Sequence, residues 1–337
     1  MSAWTVILII ILLLAGGWLG LGYYAFRSGF TWDRDVKKTE RINLDRIRTS
    51  PQAGQEAKVL AGRDWLLARP SRQVEIESFD GLKLRGRLYP GAGTGETENP
   101  RRPLLLLAHG FRSYGAFDFS CGCPFYMELG FDLLLIDQRA HGVSAGRYIC
   151  FGAAESRDVT DWCRWIAGEY PGRAVVLGGI SMGATSVLLA AGREDLPDNV
   201  RAVVADCGFT DCGGQFRHVL RQMHLPAGLI MRAAEPWCRR FLGFGFWDIS
   251  TEQALAQATV PVLFFHGAQD AFVPPDNSRR AFAACASAKK ELVIVDKADH
   301  GQSFLANEAG CRARLTAFLS DPALGLELNL PPQQGEG

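Results

Sequence analysis

Two hydrophobic patterns follow one another along the chain. Residues 74–79 (Val-Glu-Ile-Glu-Ser-Phe) alternate apolar and polar positions, Asp80-Gly81 supplies a turn, and residues 82–89 alternate again. That predicts an antiparallel pair with one buried face. After a Gly-, Pro- and Thr-rich loop at 90–103 the period changes. Residues 104–108, 133–136, 175–177, 203–205, 262–265 and 292–295 are short apolar runs separated by segments of helical character. Such runs are strands covered on both faces by crossover helices. The expectation is an α/β fold, an eight-stranded and mostly parallel sheet with an antiparallel start and helices on both faces.

The N-terminus is patterned differently. Residues 1–26 carry no charged side chain, and 6–14 are nearly all Ile, Leu and Val. As a helix this run is long enough to cross a hydrocarbon core, and Trp4, Trp18, Tyr23 and Tyr24 sit where interfacial aromatics belong. A cleaved signal peptide competes with this reading. The segment lacks a basic start, however, and stays apolar past Ala15 and Gly17, so an uncleaved transmembrane anchor is expected. Arg27, Arg34, Lys37, Lys38 and Arg41 follow it, which by the positive-inside rule places the large domain in the cytoplasm.

Residues 27–70 read as a juxtamembrane linker and then a helix at 55–68, ended by Pro70. The α/β domain is expected over 71–320, followed by a C-terminal tail at 321–337. The interval between residues 206 and 259 is too long for one crossover helix, and 212–250 are rich in Phe, Trp, Met and Leu. A small helical cap is expected there, over the ligand crevice, contributing an apolar acyl or aromatic pocket.

Composition narrows the class. Among 337 residues, 36 Lys and Arg balance 36 Asp and Glu, so no overall positive field favours nucleic acid. The nine cysteines are odd in number and scattered. Without a second close pair to complete a zinc site, they read as ordinary thiols in a reducing compartment.

The chemistry concentrates at Gly179-Ile180-Ser181-Met182-Gly183, between an apolar strand and a helix of small residues. A strand, a G-x-S-x-G turn and a helix make a nucleophile elbow with Ser181 at its apex. A serine hydroxyl needs an imidazole to take its proton and a carboxylate to hold that imidazole. Asp270, beyond the 262–265 run, and His300, beyond 292–295, supply both in the expected chain order. Asp206 is the alternative acid, and Cys207 is a poor rival nucleophile without an activating partner. Oxyanion donors are expected at the N–H groups of Met182 and of Phe111, in the turn His109-Gly110-Phe111-Arg112. His109, His141 and His266 read as structural, and Asp137 as the start of a fold-supporting loop.

Over residues 72–319 the chain resembles the α/β-hydrolase superfamily, and most closely its membrane-anchored serine aminopeptidase-like or lysophospholipase-like branch. The resemblance rests on Asp80-Gly81-Leu82-Lys83-Leu84, His109-Gly110-Phe111, Asp137-Gln138-Arg139-Ala140-His141-Gly142, residues 179–183, 266–274 and 298–301. Ala140 stands where such proteins more often carry glycine. The implied activity is cleavage of carboxylic esters through an acyl-enzyme on Ser181. The rivals are a lipid or acyl-protein thioesterase or lysophospholipase at the membrane, and a catalytically silent binding module. No metal or organic cofactor is implied. The partners expected are a small-molecule or lipid acyl substrate and, through the N-terminal helix, a membrane.

Overall fold

The computed structural model describes residues 2–91 and 101–330. Met1, most of the loop expected at 90–103 and the end of the tail at 321–337 lie outside the described residues. Three helices come first: α1 (Ala3–Phe30), α2 (Val36–Arg48) and α3 (Glu56–Leu67). The strands are β1 (Arg72–Glu77), β2 (Lys83–Tyr89), β3 (Leu104–Ala108), β4 (Asp132–Ile136), β5 (Val175–Ile180), β6 (Val200–Asp206), β7 (Val262–Gly267) and β8 (Lys290–Val295). Helices α4 (Gly115–Asp118) and α5 (Cys123–Glu128) join β3 to β4, and α6 (Glu155–Glu169) and α7 (Met182–Ala191) flank β5. Between β6 and β7 run α8 (Cys212–Gln222), α9 (Ala227–Leu242) and α10 (Thr251–Leu255). Helix α11 (Asp276–Ala284) precedes β8, and α12 (Ser303–Ala306) and α13 (Glu308–Leu319) follow it.

The eight strands form one sheet in the order β1-β2-β4-β3-β5-β6-β7-β8. Strand β2 is antiparallel to β1 and β4, and the other pairs are parallel. The apolar runs are uninterrupted because both faces are covered. Leu104, Leu106, Leu134, Val175 and Leu177 meet Trp162 and Ile166 of α6 and Val187 of α7. Their neighbours Leu105, Leu107, Leu133 and Val176 meet Tyr126 of α5 and Leu315 and Phe318 of α13. This is the α/β-hydrolase arrangement, with α8 and α9 as the small cap.

The stretch from residue 27 to 50 holds a helix. Asp35 caps α2 by accepting from the Lys38 N–H at 3.0 Å. The helix buries only Thr39 and Ile47, the latter against Val59, Phe117 and Leu305, so its apolar face is too sparse to stand out in sequence. An ion pair of 2.8 Å from Arg63 to Glu40 fastens α3 to it.

Helix α1 is long and apolar enough to cross a membrane. Its large apolar side chains from Trp4 to Leu14 are exposed, whereas Gly22, Phe26 and Phe30 are buried. The buried end lies on the cap. Trp237 donates to the Leu19 carbonyl at 3.1 Å, and Phe30 stacks on Phe216 at 5.0 Å. Cap aromatics expected to line a ligand pocket are instead engaged by the N-terminal helix.

Arg139 ties the hairpin and α6 to the loop after β4. It donates to both Asp158 oxygens at 2.7 and 2.6 Å and to both Asp80 oxygens at 2.9 and 3.1 Å. Truncating one member of such a pair strands a buried charge. Arg139→Met is expected to destabilise the fold by about 3–5 kcal/mol, read as an earlier midpoint in denaturant titrations of the purified protein.

Candidate active site

The site begins with a backbone constraint. Between β5 and α7, Ser181 has φ +57° and ψ −117°, a region that side-chain-bearing residues avoid at a cost of about 1–3 kcal/mol. The turn is held by a hydrogen bond from the Ser181 N–H to the Asp206 carbonyl at 2.9 Å and by close packing of α7 on β3. A Cβ at Gly183 would stand 1.9 Å from the Ala108 carbonyl oxygen, so glycine is required by space. Ser181 thus projects from the carboxyl edge of the sheet at the start of a helix.

Ser181, Asp270 and His300, from three separate strand ends, come together there. Ser181 Oγ lies 2.9 Å from His300 Nε2, and His300 Nδ1 lies 2.7 Å from Asp270 Oδ2. The other Asp270 oxygen accepts the N–H groups of Phe272 at 3.0 Å and Val273 at 2.8 Å. Burial works to raise the Asp270 pKa. The His300 imidazole and the hydrogen bonds from His266 and His300 outweigh it and hold the carboxyl well below its ordinary range. Asp270 is therefore an anion at neutral pH. The His300 Nδ1–H then donates to it, leaving the Nε2 lone pair facing the serine hydroxyl.

Asp206 is placed differently. Its Oδ1 accepts from the Ser303 hydroxyl at 2.8 Å, burial raises its pKa, and Asp270 takes the imidazole instead. Cys207 stands nearer than its sequence context suggested. One ligand atom each of Cys207, Asp270 and His300 lies within 4.8 Å of the others. Burial, with Asp206 and Asp270 adding to it, pushes the Cys207 pKa well above the ordinary thiol range, so the sulfur remains a thiol.

The turn after β3 abuts the serine, since a Cβ at Gly110 would lie 3.4 Å from the Ser181 Cβ. Among the described residues neither the Phe111 nor the Met182 N–H is taken up by a hydrogen bond. Two further groups shape this turn: His141, read from the sequence as structural, and Asp118, which sequence reasoning left aside. His141 Nε2 accepts the Arg112 N–H at 3.0 Å while Nδ1 donates to the Arg139 carbonyl at 2.8 Å. Both bonds need a neutral ring, and burial lowers the His141 pKa well below the ordinary value. Asp118 accepts the Gly110 N–H at 2.6 Å and the Ser113 hydroxyl at 2.6 Å. Its place eight residues past Gly110, on a single helical turn, carries no recognisable signal. His109 hydrogen-bonds at Gly110 O (2.8 Å) and Gln138 N (3.2 Å), and His266 lies at Ser278 Oγ (2.7 Å) and Val273 O (2.8 Å).

Ser181 and His300 open into a cavity of about 1330 Å³. An inner lobe runs along the sheet past Val204, Phe265, Cys311 and Leu315, and an outer part passes Phe111 and Phe272 to the ends of α1 and α2. No residue from 212 to 250 lines it.

Comparison with known proteins agrees with this architecture. Residues 103–236 match the family model described as alpha/beta hydrolase fold, and residues 249–304 match that described as serine aminopeptidase, S33. The chain is 26% identical over 198 residues to the uncharacterised protein YqkD of Bacillus subtilis, covering 58% of this chain and 64% of YqkD. It is 31% identical over 140 residues to thiohydrolase AneE of Aspergillus aculeatus, covering 40% of this chain and 41% of AneE. The chain thus spans less than two thirds of these two relatives. Among solved structures, the Pyrococcus furiosus esterase Pf2001 superposes with a TM-score of 0.61 at 21% identity, over 76% of this chain and 92% of the esterase. The hydrolase GrgF from Penicillium superposes with a TM-score of 0.55 at 21% identity, over 74% of this chain and 98% of GrgF. At these identities the two structures speak for the fold alone.

The thiol assignment has a direct check. A raised pKa keeps Cys207 protonated at pH 8, and its side chain is enclosed. Iodoacetamide applied to the native protein at pH 8 is expected to leave Cys207 unmodified by peptide mass mapping, and to label it only after unfolding.

Proposed function

The chain belongs to the α/β-hydrolase superfamily, and from that premise we propose that it is a serine hydrolase cleaving carboxylic esters through an acyl-enzyme. The supporting observation is the unbroken path from Asp270 through His300 to Ser181, with contacts of 2.7 and 2.9 Å. Ser181 Oγ attacks the acyl carbonyl carbon while its proton passes to His300 Nε2. The Asp270 carboxylate stabilises the imidazolium and fixes its orientation. The N–H groups of Phe111 and Met182 receive the oxyanion, the only new charge with no counter-ion already in place. His300 then protonates the departing alkoxide. Water attacks the acyl-enzyme with His300 again as base, releasing the acid and restoring the hydroxyl.

A thioester is the second reading of the scissile bond, favoured by the likeness to the thiohydrolase AneE. It needs no change of roles, since a thiolate leaves without the proton an alkoxide requires. We read α1 as an uncleaved single-pass anchor, from the exposed apolar side chains on its first half. Arg27, Arg34, Lys37, Lys38 and Arg41 beyond it favour a cytoplasmic position for residues 71–320.

A fluorophosphonate probe is expected to label the native protein and not Ser181→Ala; no labelling of native protein would favour the silent binding module. Asp270→Asn is expected to lower kcat on p-nitrophenyl esters about 10⁴-fold by leaving His300 in the wrong tautomer, with circular dichroism unchanged. Esters graded by acyl length, beside matched thioesters, then rank the two bonds. A flat profile from short to long chains would count against an acyl-binding inner lobe.

A further inference from the structure

The cavity leading to Ser181 has one wall made by the N-terminal helix. Tyr23, Tyr24, Arg27 and Ser28 of α1 line it together with Ser181 and His300. The docked end of α1 fixes where that wall lies. A Cβ at Gly22 would stand 2.0 Å from the Ala233 carbonyl oxygen of α9, so the two helices are in backbone contact just before the cavity wall begins. Exposed apolar side chains end at Leu21 and a tyrosine pair follows. The mouth therefore opens at the level where α1 passes from an apolar to a polar surround, flanked by aromatics suited to an interface.

The charge of this mouth is one-sided. Arg27, Arg34, Lys38, Arg46, Arg112 and Arg147 line the cavity, and Asp33 is the single carboxylate among the lining residues between 23 and 47. Three of these cations are already engaged. Lys38 pairs with Asp33 at 3.3 Å. Arg34 donates to the carbonyls of Gly142 and Gly146, and Arg112 to those of Ser28 and Thr31. Among the described residues Arg27 and Arg46 have no carboxylate partner. Arg46 lies over the Phe272 ring at 4.6 Å, and Phe272 packs against His300 with ring centroids 5.0 Å apart. Arg112 Nε, on the oxyanion turn, is enclosed without an acceptor. Deeper in, the carboxylates of Asp118 and Asp206 are turned to local donors. Cations thus stand at the mouth and apolar side chains in the inner lobe, around a serine between the two.

We infer that the substrate is a single-chain acyl amphiphile with an anionic head group, taken from the bilayer at the foot of α1. The acyl chain lies in the inner lobe along Val204, Phe265 and Leu315, its carbonyl at Ser181 and its head group between Arg27 and Arg46. This rests on the serine-hydrolase reading above and adds its substrate class. A cavity of about 1330 Å³ exceeds the roughly 300–1,000 Å³ usual for small-molecule sites, as a long chain with a head group requires.

The test uses the full chain reconstituted in phosphatidylcholine vesicles. Each preparation carries the same mole fraction of palmitoyl lysophosphatidylglycerol or of monopalmitoylglycerol, and a third offers palmitoyl-CoA in solution. Because the protein is already embedded, head-group charge does not alter how much of it reaches the vesicle. Fatty-acid release is expected to show kcat/KM at least tenfold higher for the anionic lipid than for the neutral one. The ratio is expected to fall toward one in the double variant Arg27→Gln, Arg46→Gln, as loss of about fivefold per cation predicts. Equal rates on the two lipids, or a variant that lowers both alike, overturn the head-group assignment. Faster release from soluble palmitoyl-CoA than from either lipid overturns delivery from the bilayer. Fluorophosphonate labelling of Ser181 with no head-group preference overturns this inference alone, whereas no labelling and no ester hydrolysis overturn the serine-hydrolase reading with it.

Discussion

The chain's bend at Ser181 is the constraint from which the rest of the site follows. A φ of +57° on a serine persists only where the surroundings leave no alternative. Here they are the parallel register of β5 with β3 on one side and β6 on the other, and a helix that starts against the end of β3. Were the turn to relax into an ordinary strand exit, the Oγ would swing away from His300 and the turn at Gly110 would lose the surface it abuts. Stability for this strained point comes from the centre of the sheet, where Leu104, Leu106, Val175 and Leu177 are wholly buried.

Around that point four histidines divide by what their nitrogens face. His109 and His141 each accept a backbone N–H on one nitrogen and face a carbonyl with the other. They touch edge to face with centroids 4.8 Å apart. His266 sits beside Asp270 at 3.3 Å but directs Nε2 at the Val273 carbonyl, 2.8 Å away. His300 places Asp270 on Nδ1 at 2.7 Å and the Ser181 hydroxyl on Nε2 at 2.9 Å. The carboxylate it faces accepts two further backbone N–H groups, from Phe272 and Val273, which fix its orientation.

The sheet and the meeting of three side chains were legible because each leaves a local mark. Alternation at 74–79 and 82–89, continuous apolar runs beyond, and an acid and an imidazole just past two of those runs are all short-range signals. Ala140 is another, since it takes φ +62° in a loop where glycine would be at ease. What was not legible depends on distant partners. Asp118 matters only because Gly110 folds back to it. The polar stretch after α1 hid a helix, since two buried side chains make no stripe. The aromatics of 212–250 announced burial without saying against what. They were read toward a ligand, and they meet Phe26 and Phe30 instead.

That last mismatch changes how the cap is to be understood. Phe26 and Phe30 are wholly enclosed between the cap and the sheet's upper edge, and burying one such ring is worth about 1.5–3 kcal/mol. A cap free to swing would surrender both, along with the backbone contact at Gly22 and the Trp237 bond to Leu19. Helix α1 therefore pins the cap while its own flank walls the cavity, so that one packing interface determines both how the domain hangs from its apolar helix and what shape the approach to Ser181 takes. A substitution that loosens this interface alters the approach without touching any side chain near the serine.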